Sequence, residues 1–210
     1  VRIFALNLTA LDKLDSAISR LGRPLLKLLN WRNRNTKTQA RKNIAAHYDL
    51  GNDMYRLFLD DSMMYSSAVY PDENADLVQA QQYKLKLICD RLQLKAHDHL
   101  LEIGTGWGAM AIYAAQNYGC KVTTTTISKQ QYDYATARIN ALGLQDRVTI
   151  LLSDYRDLSG EFDKLVSIEM IEAVGEEYLD TYFAKCSSLL KPEGLMMLQA
   201  ITIVDQRYRQ

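Results

Sequence analysis

The stretch Leu100-Leu-Glu-Ile-Gly-Thr-Gly-Trp-Gly-Ala109 constrains this chain more than any other. A hydrophobic run leads into Gly104, Gly106 and Gly108, and an apolar helical pattern follows. That order specifies a strand, a tight loop and a helix packed back on the strand. Glycines there allow positive φ and close approach of a ligand to the backbone. The amino terminus of the following helix favours negative groups. The chain repeats this alternation after residue 98. The pattern predicts strands over 99–104, 121–127, 148–153, 162–169 and 194–204, and helices over 109–117, 129–142 and 177–190. Five strands joined by three clear crossover helices specify an α/β fold, a mostly parallel sheet with helices on both faces. The 210 residues suffice for one such core and an appendage.

Two segments precede that domain, which is read as 97–210. Residues 1–38 are read as a basic amphipathic helical segment. Leu8, Leu11, Leu14, Ile18, Leu21, Leu25, Leu28 and Leu29 recur at helical steps, and Gly22 and Pro24 divide the run. The chain has 25 Lys+Arg and 25 Asp+Glu, but no acid lies between Ser16 and Tyr48, where eight basic residues fall. The segment therefore suits an anionic membrane surface, or packs on the main domain with a solvated basic edge. Residues 39–96 are read as a helical cap or lid. It holds a short helix over 48–59 and an amphipathic helix over 75–94, whose inner face carries Leu77, Ala80, Lys84, Leu87, Ile88 and Leu92.

The exclusions are as useful. With 48% hydrophobic and 24% charged residues, the chain is neither disordered nor low-complexity. Zero net charge argues against a nucleic-acid partner. No run approaches 18 apolar residues, so no membrane span is expected, and the apolar start is not read as a signal peptide. Cys89, Cys120 and Cys186 form neither a CxxC nor a metal pattern, which favours a reducing, cytoplasmic setting and no metal site. His47 is read as a packing residue, and His97 and His99 as surface turns.

Gly104-x-Gly106-x-x-Ala109 also spells the dinucleotide fingerprint. A nicotinamide fold wants an acid near the end of the second strand, and that place reads Thr123-Thr-Thr-Thr-Ile-Ser. The acid lies instead at Glu102, in the first strand. Acidic-x-Gly-x-Gly-x-Gly resembles motif I of the Rossmann-like class I S-adenosylmethionine-dependent methyltransferases. In that family the acid and the glycine backbone hold the amino-acid and ribose parts of the cofactor. Asp154-Tyr155-Arg156 matches the stretch that lines the adenine. The other reading of Glu102 is a buried carboxylate capping backbone amides.

Several blocks carry a narrower likeness: Arg41-x-Asn43-Ile-x-x-His47-Tyr48-Asp49, Met64-Tyr65-Ser66-x-Ala68, the glycine loop, Thr126-Ile-Ser128-x-x-Gln131, Asp154-Tyr-Arg-Asp157, Ser167-Ile-Glu-Met-Ile-Glu172-Ala-Val-Gly175 and Leu190-Lys-Pro192-x-Gly194. In this order the chain resembles the cyclopropane-fatty-acyl-phospholipid synthases and their mycolic-acid relatives, from about Arg41 to the end. The resemblance implies transfer of a methyl or methylene group from S-adenosylmethionine to the cis double bond of an unsaturated acyl chain of a membrane phospholipid. It implies cofactor contacts from Tyr65, Ser66, Leu101, Glu102, Gly104, Gly106, Trp107, Gly108, Thr126, Ile127, Gln131, Asp154, Tyr155 and Arg156. It further implies a bound bicarbonate as base, held by Glu172, by a backbone contact at Ile201, and by the positions of Ser67 and Gln199. Well-known members carry Cys and His at those last two positions. Glu169 is read as structural. Folds of this kind usually carry seven strands, so a chain with five is expected to end before the sheet is complete and to be inactive or poorly stable alone. The expected setting is the cytoplasmic, inner face of a membrane, with oligomeric state, a homodimer included, left open. Two rivals stand beside this reading: a methyltransferase acting on a small amine or hydroxyl or making a branched acyl chain, and a non-catalytic lipid-surface binding protein.

Overall fold

The computed structural model describes residues 39–40 and 51–203. The basic segment 1–38, His47, Tyr48 and the stretch beyond 203 lie outside the described residues. The elements run α1 (Gly51–Tyr55), α2 (Leu77–Arg91), β1 (His99–Ile103), α3 (Ala109–Tyr118), β2 (Lys121–Thr126), α4 (Lys129–Ala141), β3 (Val148–Leu152), β4 (Phe162–Ile168), α5 (Leu179–Leu189) and β5 (Leu190–Gln199). The five strands form one sheet in the order β3-β2-β1-β4-β5. Every pair is parallel. The strand order reverses between β1 and β4, and such a reversal opens a crevice at the carboxyl ends of the strands.

Alternation along the strands builds two cores. Leu100, Val122, Val148 and Val166 face α2, α3 and Ile139 of α4. Leu101, Ile103 and Leu165 face Tyr182, Cys186 and Leu189 of α5. The expected helices on both faces are present. The three cysteines are free and buried in these cores, and burial pushes the Cys89 thiol up to about 12. Local signals set the helix starts. Asp76 and Gln79 make a reciprocal capping box at α2, and Ser128 caps α4.

Four expectations change. The fifth strand starts at Leu190 and ends at Gln199, and 200–203 hold no regular structure. Its register slips between Phe162↔Leu190 and Lys164↔Leu195. Pro192, which cannot donate to a ladder, sits in that irregularity. The helix expected over 48–59 is only the short α1 within the described residues, with Leu57 and Phe58 exposed beyond it. The inner face of α2 is Ala80, Gln81, Lys84, Leu85, Ile88 and Cys89, while Leu77 and Leu87 are only half-buried. His99 is no surface turn. It lies in β1, its Nε2 is 2.8 Å from Thr123 Oγ1, and its ring packs on Phe162.

Candidate active site

At the carboxyl ends of β1 and β4 lies a cavity of about 1150 Å³. The glycine loop forms one wall. Gly104 N and Thr105 N both donate to Thr125 O at 3.0 Å, pinning the loop to the end of β2. Gly106 has φ +52°, and a Cβ there would stand in open space. Gly108 has φ +90°, and a Cβ there would lie 3.2 Å from Ala135 Cβ. The first glycine thus leaves room for a ligand, and the second lets α3 dock closely.

Glu102 is the most perturbed group of that wall. Thr124 Oγ1 donates to its Oε2 at 2.6 Å. Because Thr124 spends its hydrogen there, Thr105 donates to Thr124 across the 2.7 Å contact. Burial pushes the Glu102 carboxyl up to about 8, against the lowering effect of the Thr124 bond. Its Oε1 has no hydrogen-bond partner among the described residues, yet Glu102 lines the cavity. An under-satisfied buried carboxylate calls for donors from a ligand. The open cradle at Gly106 and the free Glu102 oxygen fit the amino-acid and ribose parts of S-adenosylmethionine.

The remaining walls gather most of the predicted cofactor residues. Tyr65, Ser66, Trp107, Thr126, Ile127, Gln131, Asp154, Tyr155 and Arg156 all line the cavity, as does Glu172. Thr126 Oγ1 donates to Gln131 Oε1 at 2.9 Å. The Arg156 guanidinium donates to both Asp154 oxygens, at 2.8 and 2.7 Å. Trp107 Nε1 donates to Asn52 Oδ1 at 2.8 Å. The Trp107 ring packs on Tyr55, and Tyr55 in turn on Tyr65. Two predicted contacts stand behind the wall instead. Leu101 is packed in the second core, and a Cβ on Gly108 would meet Ala135 of α4.

The other end of the cavity is a corner of two carboxylates. Ser67 N donates to Glu169 Oε1 at 2.9 Å. Gln199 Nε2 donates to the same oxygen at 2.8 Å and to Ser67 O at 3.1 Å. Ile201 N donates to Glu172 Oε1 at 2.6 Å. The predicted set Ser67, Glu172, Gln199 and Ile201 is therefore brought together. Its donors, however, are engaged by carboxylates of the chain, and a bicarbonate does not fit this arrangement. Beneath the corner, Lys84 Nζ donates to Ser66 Oγ at 2.7 Å and to Ser67 O at 2.9 Å. Desolvation lowers the Lys84 amine to about 8, although the charges of Glu169 and Asp60 favour its protonated form. Sequence reasoning set Glu169 aside as structural. The available signal was a second acid at the carboxyl end of the fourth strand, where such sheets build their sites.

Comparison with known proteins agrees with this geometry. The family model for mycolic acid cyclopropane synthetase matches residues 35–210. The cyclopropane-fatty-acyl-phospholipid synthase of Escherichia coli strain K12 is 49% identical over 155 residues, which are 74% of this chain and 39% of that protein. A tuberculostearic acid methyltransferase of Mycobacterium tuberculosis is 42% identical over 179 residues, covering 82% of this chain and 42% of that protein. The chain thus spans about two fifths of the length of these curated relatives. Among solved structures, a mycolic acid cyclopropane synthase complexed with S-adenosylhomocysteine superposes with a TM-score of 0.73 at 33% identity, over 75% of this chain and 55% of that one. The parallel sheet, the glycine loop at its switch point and these matches lead to one assignment: the chain has the class I methyltransferase fold and belongs to the mycolic acid cyclopropane synthetase family.

Proposed function

We propose that this chain is the donor-binding and catalytic part of an enzyme that transfers a methyl or methylene group from S-adenosylmethionine to the cis double bond of a phospholipid acyl chain, closing a cyclopropane ring. One observation carries the reading. A single cavity joins the glycine loop and Glu102 to an apolar, aromatic wall (Met63, Met64, Tyr65, Trp107, Met170, Tyr178) and to two carboxylates. When bound, S-adenosylmethionine supplies an activated methyl group. Glu102 and the glycine loop would hold its ribose and amino-acid parts. Ile127, Gln131 and Asp154 to Arg156 would surround the base, and Tyr65 and Ser66 would close over it.

An alkene has no proton to remove before it attacks, so the protein's work is alignment and exclusion of water. Positive charge develops on the acyl chain, and aromatic faces and carboxylates stabilise it. Ring closure then needs a proton acceptor beside the new methyl group. A hydride shift that carries the positive charge onto the methyl-bearing carbon, followed by loss of a methyl proton, gives a methylene branch instead. The relative that acts as a tuberculostearic acid methyltransferase keeps this second product in view. The substrate stays in a bilayer, so the enzyme works as a peripheral protein at the cytoplasmic face, drawn there by the basic residues between Arg20 and Lys42.

The test is incubation of the native full-length protein with vesicles of cis-unsaturated phospholipid and S-adenosylmethionine, followed by mass spectrometry of the acyl chains. The expected result is a gain of one CH2 that behaves as a ring on hydrogenation. The same gain as a branch would keep the family and change the product. No gain from a protein that binds the cofactor would defeat the acyl-chain reading and favour a small-molecule methyltransferase or a non-catalytic lipid-surface protein.

A further inference from the structure

We infer that Glu169 is the proton acceptor of the reaction, a carboxylate built into the chain at the corner where the resemblance implies a free bicarbonate. The inference rests on the proposed acyl-chain chemistry. The anion donors of the corner are the backbone N–H of Ser67 and the side-chain amide of Gln199, and both already serve Glu169 Oε1, at 2.9 and 2.8 Å. The other N–H of that amide donates to Ser67 O at 3.1 Å, so its capacity is filled. Ile201 N is likewise taken, by Glu172. A second anion would have to displace a tethered carboxylate and then lie against its charge.

Glu169 is also held in place at a cost. Its φ is +48°, a left-handed conformation in which a residue with a side chain persists only when its surroundings enforce it. Here Glu169 N donates to Gln199 O at 2.9 Å, and the side chain returns to Gln199 and Ser67. Backbone and carboxylate are thus fixed together. Lys84 grips Ser66 and Ser67 from below. Oε2 makes no hydrogen bond to a described residue, and Glu169 lines the cavity beside Met170. Glu172 is the weaker candidate, being exposed and capped by Ile201 N.

The proton step balances without a co-reactant. After methyl transfer the acyl chain carries a methyl group next to a cationic carbon. One methyl C–H bond breaks, its electron pair forms the second C–C bond of the ring, and the proton passes to Glu169. Water then removes it.

Two variants test this in the native full-length protein. Glu169→Gly relieves the positive φ and empties the corner, whereas Glu169→Gln keeps the shape and removes the basic oxygen. The first readout is binding of isotope-labelled bicarbonate by NMR with S-adenosylhomocysteine present. The unmodified protein should bind none, and Glu169→Gly should gain saturable binding. Bicarbonate binding by the unmodified protein, or none by either, would overturn the inference, and this arm decides whether or not turnover is seen. The second readout is turnover on unsaturated vesicles. Both variants should lose about a hundredfold or more in kcat, with a much smaller change in S-adenosylhomocysteine affinity. Bicarbonate or formate should restore Glu169→Gly, an effect that a merely structural glutamate would not produce. A fully active Glu169→Gln, or an unmodified enzyme that stops when bicarbonate is removed, would also overturn it. An unmodified enzyme that leaves every acyl chain unchanged defeats the proposed function instead.

Discussion

Glu102 ties stability and cofactor binding to pH. Its folded-state carboxyl is raised to about 8 by burial, above the ordinary 4.5. The native state therefore keeps a proton that the unfolded chain releases between those values. The stabilisation is fully present below about 4.5 and is lost as pH rises through 8. Thermal melts of the ligand-free protein should show Tm falling across that window, and Glu102→Gln should flatten this component. The same variant should weaken S-adenosylhomocysteine binding about tenfold to a hundredfold, since charge-assisted hydrogen bonds contribute about 1.5–3 kcal/mol. Calorimetry that finds equal affinity would remove Glu102 from the cofactor site. Glu102 was legible because an acid inside a hydrophobic strand stands out. Glu169 was not, because its role depends on Ser67 and Gln199, which lie 102 and 30 residues away in sequence. Lys84 was legible as an inward position of α2 but not as the support of the Ser66–Ser67 turn.

The elements that punctuation defines most sharply are those the structure returns within a few residues. Glycines and a capping serine separate period-2 runs from helical ones across β1, α3, β2 and α4, and each boundary has a local cause. Gly108 shows the strength of one such cause. Valine there would need φ +90° and would press a Cβ within 3.2 Å of Ala135. A left-handed non-glycine residue costs about 1–3 kcal/mol before any clash. Gly108→Val should therefore lower Tm markedly and loosen cofactor binding together, as read by circular dichroism and calorimetry. Asp76→Ala at the α2 capping box should cost about 1 kcal/mol and leave cofactor affinity alone. A Gly108→Val protein as stable as the parent would refute the close-docking argument. Where tertiary contacts rather than local signals decide, the sequence misleads. Residues 191–193 fall between the helix and the strand that the pattern predicts, yet they lie inside β5, accommodated by the slipped register. Leu57 and Phe58 carry helical spacing, yet the chain around them is shaped by Asn52 against Trp107 and by Ser62 O accepting from Arg138.

Over the whole molecule, charge separates the basic amino-terminal stretch from an acidic remainder. Replacing Arg32, Arg34, Lys37 and Arg41 by Gln should weaken binding to anionic vesicles by about 4 kcal/mol at low salt, at about 1 kcal/mol per basic residue. Unchanged sedimentation with such vesicles would rule out that electrostatic attraction. The architecture also joins the two ends of the cavity through one short piece of chain. Met63 to Ser66 form part of the cofactor wall, Ser67 holds Glu169, and the single amine of Lys84 grips both Ser66 and Ser67. Whatever orders one half of that turn orders the other. Occupancy of the donor end and organisation of the carboxylate corner are then thermodynamically linked, and such linkage is reciprocal. A ligand that settles Ser66 also sharpens the aim of Glu169, and a change at Glu169 is felt in the affinity of the donor end.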